Sequence, residues 1–160
     1  MDISQFVTQE NADEGVWTPI IINGTPMDID LKILGDDSDV VQKYQRKQIK
    51  KMKGLVSNLK DNKTEIDDDT IDEIFESNNE AVIIRIAGIR GWKVERKGTK
   101  EISREPVNAI TIKDRAGVEK EIKNDHESYE YLVTKIPAIK EIVLKVAGDR
   151  NNFLLKPSGN

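Results

Sequence analysis

Charge is sorted along this chain in blocks, and that sorting restricts the fold more than any single motif does. Residues 1–41 carry nine acids and one base, net -8, and residues 42–63 carry eight bases and one acid, net +7. Residues 65–80 follow with eight acids and no base, and residues 81–160 with sixteen bases and eleven acids, net +5. The formal net charge of -4 is therefore a sum of opposed patches. Burying an unpaired charge is prohibitive, so a run of like charges cannot turn inward together. The core has to come from apolar residues threaded between the charges. Faces of a single sign are left for solvent, for one another, or for a partner of opposite sign.

The apolar supply is modest, at 37% of 160 residues with 5% aromatic, which suits one domain with a small core. A near balance of 25 bases and 29 acids disfavours a protein that coats nucleic acid, which would be globally basic. The lack of cysteine excludes disulfide scaffolds, thiolate zinc sites and cysteine nucleophiles. The single histidine, His126, removes most His-based catalytic and metal arrangements. Met1-Asp2-Ile3-Ser4-Gln5 has neither the basic nor the apolar region of a signal peptide, and no apolar run approaches the roughly 18 residues of a membrane span. The expectation is a soluble protein with no membrane partner, most simply cytoplasmic.

Gly15 to Ile22 reads as a strand ended by Asn23-Gly24, and Met27 to Ile33 alternates apolar and charged residues as a half-buried strand does. Thr25 and Pro26 make the connecting loop longer than two residues. Residues 39–60 read as a helix, with Val41, Tyr44, Gln48, Met52, Leu55 and Leu59 on one stripe and bases over much of the rest. Thr70-Ile71-Asp72-Glu73 fits a capping box, so a second helix is predicted from about residue 69 to Gly88 or Gly91. Its apolar face is Ile71, Ile74, Phe75, Val82, Ile86 and Ile89. Trp92, Val94 and Lys97-Gly98 suggest an extended stretch, and residues 109–122 a second hairpin. A helix capped by Asn124 or Asp125 runs to Lys135, and Pro137 starts the terminal helix. Trp17 and Trp92 are expected to be core anchors, with an exposed binding hot spot as the alternative. The fold class expected is α+β: a mainly helical single domain over residues 15–156, with an N-terminal β-hairpin and a second small hairpin before the C-terminal helices. A flexible arm, 1–14, precedes it and a tail, 157–160, follows.

Few constellations support chemistry. Glu65-Ile66-Asp67-Asp68-Asp69 lacks the glycine and spacing of a calcium loop and reads as a solvated helix start. His126 and Ser128 stand two apart on a helix and point to different sides. No glycine-rich phosphate loop, nucleophile elbow or metal-spaced triad is present. No catalytic, cofactor-binding or metal residue is assigned, no cofactor is expected, and the protein is expected not to be an enzyme. The basic helix instead reads as an interaction face for an acidic partner, another copy included, or as a plain solvated face or one paired with the acidic 65–80 segment of the same chain; flanking acidic blocks speak against nucleic acid.

Several stretches together resemble tail assembly chaperone-like proteins of long-tailed bacteriophages and prophages. They are Gly15-Val16-Trp17 with its strand, Met27 to Leu34, Gly35-Asp36-Asp37-Ser38-Asp39 leading into the basic helix, and Ile86 to Trp92. Lys135-Ile136-Pro137-Ala138-Ile139 leading to Gly148-Asp149-Arg150-Asn151-Asn152-Phe153-Leu154 completes the pattern. The resemblance implies a non-catalytic protein of the bacterial cytoplasm that binds the tape measure protein, and often the tail tube protein, during tail morphogenesis. It implies absence from the finished particle, and in many such phages a frameshift that appends a second domain. The hairpin at 109–122 is an insertion relative to that pattern, so no partner-binding position is carried over. The partner-binding residues expected from this chain's own chemistry are Lys43, Arg46, Lys47, Lys50, Lys51, Phe153 and Leu154. The alternatives are a structural head–tail joining or tail-completion protein and a nucleic-acid-binding regulator using helix 39–60.

Overall fold

The computed structural model describes residues 8–62 and 78–154, with Ile3 and Ile74 besides, and the side chains of α2 through Gly54 and at Ser57. The order is α1 (Gln9–Glu14), β1 (Val16–Ile22), β2 (Thr25–Ile33), α2 (Asp39–Asn62), a helical stretch at 78–83, β3 (Ile86–Lys97) and β4 (Lys100–Val107). β5 (Ala109–Lys113), β6 (Glu119–Lys123), α3 (His126–Lys135), α4 (Pro137–Gly148) and a 3-10 turn (Arg150–Phe153) complete it. Strands β1-β2-β3-β4 form one antiparallel sheet, and β5-β6 a separate antiparallel pair.

Asn23 and Gly24 turn the first hairpin with φ of 52° and 77°, both in the left-handed region that a type I′ turn requires. Ile22 pairs with Thr25, so the loop has two residues, and Thr25 and Pro26 belong to β2 rather than to a longer loop. Pro26 is tolerated because β2 pairs with β3 only from Ile29 onward, so no ladder partner stands on that side of it.

The mainly helical expectation is overturned: among the described residues, six strands occupy a share not far below that of the helices. The predicted helix through Ile86 and Ile89 stops at residue 83, and both isoleucines lie in β3. Val82, Ile86 and Ile89 recur at helical steps, yet the run from Val82 to Arg90 is rich in β-branched residues and broken by Gly88. Such residues lose rotamer freedom in a helix and pack well on a sheet, and β2 offers an apolar strand to pair with. The capping box at 70–73 and the apolar positions Ile71 and Phe75 fall outside the described residues. β4 carries Lys, Glu, Arg and Pro106 and shows no core-facing periodicity, because it is an exposed edge strand.

One side of the four-stranded sheet holds the core. Ile20, Ile29, Leu31 and Ile33 from β1 and β2 meet Ile86 and Ile89 of β3, Leu132 and Val133 of α3, and Ile139, Val143 and Ala147 of α4. The β5–β6 pair joins through Ile122, with Ile110 and Ile112 packed alongside. A Cβ on Gly91 would come within 2.9 Å of Ile110, so glycine there lets the second hairpin approach β3. Asp125 caps α3 by accepting from the Ser128 backbone N–H at 2.8 Å, and Pro137 opens α4 in its first turn, where its missing N–H costs nothing. The segment read as a flexible arm contains α1, whose Ala12 is fully buried. No helix among the described residues is long and apolar enough to cross a membrane.

Candidate interaction surfaces

The base of α2 is clamped by residues distant in sequence. The Asp39 backbone N–H donates to Asp13 Oδ1 of α1 at 2.7 Å, and Gln42 Nε2 donates to the Asp36 carbonyl at 2.8 Å. Arg85, itself buried, donates from Nε to Asp36 Oδ1 at 2.8 Å. Arg150 forks onto Asp37 at 3.0 and 3.1 Å, and Thr8 Oγ1 donates to the same carboxylate. Arg150, followed by the Thr8 hydroxyl, holds the Asp37 carboxyl below its ordinary value. Under the clamp, Gly35 touches Ala12 and Phe153 so closely that a Cβ would fall 2.7 Å from the Ala12 Cβ.

Beyond the clamp α2 leaves the core. Val41 is buried, Tyr44 and Gln48 are half-buried, and from Ile49 to Gly54 every side chain is exposed. Ile49 is 56% and Met52 57% exposed, so Met52 does not share the buried stripe expected for it. Twenty-four residues at 1.5 Å each give α2 a length of about 36 Å. Arg46, Lys47, Lys50 and Lys51 are all exposed on it. Lys43 sits in the first turns and pairs with Asp39 at 2.8 Å. The structure thus brings five of the seven expected partner-binding residues onto one helix.

The other two lie at the chain's far end and are separated from that helix surface. Phe153 is 2% exposed against Ala12 and Gly35, where it packs the clamp instead of facing a partner. Leu154 beside it is partly exposed. His126 is exposed at the start of α3, while Ser128 is buried with its hydroxyl accepting from the Lys123 backbone N–H at 3.1 Å. Among the described residues, no group of three or more His, Asp or Glu side chains is placed to hold a metal ion. Residues 65–69, considered as a calcium loop, lie outside the described residues.

A second surface is built on the two tryptophans, whose clustering with arginine was not read from the sequence. Trp17 and Trp92 are not core anchors; both stand on the outer face of the four-stranded sheet, opposite the core. Arg90 lies 4.4 Å from the Trp17 ring and 5.0 Å from the Trp92 ring, and Arg104 lies 4.3 Å from Trp92. Asp30 sits beneath, accepting at one oxygen from Trp92 Nε1 at 2.9 Å and Arg90 Nη2 at 3.0 Å. Its other oxygen has no hydrogen bond, the Arg104 guanidinium being 3.5 Å away. The readable signal was parity: Trp17, Asp30, Lys32, Arg90 and Trp92 all share one face once β2 and β3 pair.

The fold and these surfaces define an α+β protein that presents a long basic helix and an aromatic–cationic sheet face. No family model, curated protein or solved structure matches the chain.

Proposed function

We propose that this protein is a non-catalytic assembly factor of the phage or prophage tail assembly chaperone kind. It binds the tape measure protein, the tail tube protein, or both, in the host cytoplasm during tail morphogenesis. The observation that carries the reading is α2, anchored at its base by α1, Asp36 and Asp37 and exposed from Ile49 to Gly54. A chaperone for a long helical protein needs an extended strip rather than a cleft, and α2 supplies one. Its bases steer an acidic partner and set register, while Ile49 and Met52 offer apolar surface to bury. The resemblance of the ordered sequence stretches to tail chaperone-like proteins points the same way.

Particle composition tests it. Mass spectrometry of assembly intermediates and of finished particles from the host is expected to find this chain with the tape measure protein in the former and absent from the latter. Stoichiometric presence in finished particles contradicts the chaperone reading and replaces it with a joining or tail-completion protein. Tight, salt-dependent binding to duplex DNA by α2 replaces it with a nucleic-acid regulator.

A further inference from the structure

We infer that the outer face of the four-stranded sheet is a second docking surface, which takes an acidic, apolar-studded segment of a protein partner. This surface is separate from α2 and independent of what α2 binds. Helices α3 and α4 contribute to the core on the inner face, while the outer face leaves Trp17 41% and Ile21 52% exposed. Tryptophan and arginine are the side chains that most often dominate protein–protein affinity. Here they are already ordered: Arg90 is held against both indoles and tied to Asp30, so little side-chain freedom is left to lose on binding.

The occupant follows from which groups are spent and which remain. By register, Arg90 precedes Trp92 on β3 and Arg104, opposite Val94, follows it, so guanidinium groups flank that indole along the sheet. Two guanidinium groups within about 5 Å of that indole occupy stacking surface that a nucleobase would need, which disfavours single-stranded nucleic acid at Trp92. What stays available is the N–H edge of the guanidinium groups. Arg104 reaches Asp30 only at 3.5 Å and Glu101 only at 3.9 Å, so its fork is not consumed by either. Asp30 serves Arg90 and the Trp92 N–H and stands 3.5 Å from Arg104, and Asp28 is taken by Arg96. Lys32 adds a further cation beside Trp17. The face therefore gathers four cations, Lys32, Arg90, Arg96 and Arg104, against three carboxylates, Asp28, Asp30 and Glu101. A planar guanidinium edge pairs bidentately with a carboxylate, and Ile21 and Trp17 alongside take apolar side chains.

Both tryptophans of the chain stand in this stack, so intrinsic tryptophan emission reports on this face alone. The probe is a synthetic peptide with the sequence of residues 65–80, which carries eight acids, Ile66, Ile71, Ile74 and Phe75, no base and no tryptophan. Titration into the full chain at low salt is expected to give a saturable shift in emission that weakens as salt is added. Arg104→Ala is expected to weaken the probe about tenfold, the worth of one good charge-assisted pair. Arg104 is partly exposed and lightly bonded, so circular dichroism of that variant is expected to match the parent. Lys47→Glu/Lys50→Glu/Lys51→Glu is expected to leave the emission shift in place. No shift at millimolar probe overturns the inference. So does an equal shift from a peptide with every Asp and Glu replaced by Asn and Gln, an Arg104→Ala titration matching the parent, or tighter binding of an oligothymidine strand.

Discussion

Asp37 joins three parts of the chain at one carboxylate: Thr8 before α1, its own loop before α2, and Arg150 in the last turn. Its carboxyl is held below the ordinary value of about 3.9, with Arg150 the main cause. A carboxyl depressed in the folded state stabilises above the unfolded value and loses that contribution as pH falls through the folded one. Asp37→Asn is thus expected to lose up to about 1 kcal/mol at pH 7, a small figure because solvent screens the pair. Urea denaturation is expected to show the gap to the parent closing as pH drops below about 4; a constant gap at pH 7 and pH 3 contradicts the pairing. Gly35→Ala drives a methyl group to 2.7 Å from the Ala12 Cβ and 3.0 Å from Phe153, and is expected to cost about 1–3 kcal/mol in thermal unfolding. Neither contact was legible from the sequence. Gly35, Ala12 and Phe153 carry no periodic pattern, and they meet only when both ends of the chain fold over the loop before α2.

Elements were legible where one local rule was enough. Asn23-Gly24 specified a hairpin, the step of three and four from Val41 specified α2, and Asp125 and Pro137 marked the two C-terminal helices. The second half of β3 was read as extended from Trp92 on, but its first half was missed: Ile86 and Ile89 are spaced as on a helix, and only a register irregularity in the pairing with β2, sixty residues away in places, puts both on the core face. β4 was missed because an exposed edge strand has no buried side to write an alternation into the sequence. Five basic residues of the candidate site were legible because a solvated face advertises its charge. The Trp–Arg stack was not, since it exists only after β1, β2, β3 and β4 align. On α2 the burial gradient gives a sharp expectation: Val41→Ala costs roughly 1–3 kcal/mol, whereas Ile49→Ala and Met52→Ala stay within about 0.5 kcal/mol of the parent. Chemical denaturation of the three variants checks it, and a large loss at Met52 contradicts an exposed outer half.

At the scale of the whole molecule, the charge blocks are resolved in two ways. Some opposed charges meet within the fold, as Asp36 meets Arg85, Asp37 meets Arg150 and Asp28 meets Arg96. Others remain outward, on α2 and on the outer sheet face, where solvent-exposed charges contribute little to stability. The claim that α2 recognises the partner is tested most directly by charge reversal on its exposed half. Lys47→Glu/Lys50→Glu/Lys51→Glu is expected to unfold at the parent's temperature to within a few degrees, because these side chains are exposed. Co-expressed with a tagged tape measure protein from the same phage or prophage, the parent is expected to co-purify and the reversed variant to be lost at least tenfold. Equal recovery of a folded reversed variant contradicts the assignment of α2 as the partner-binding helix.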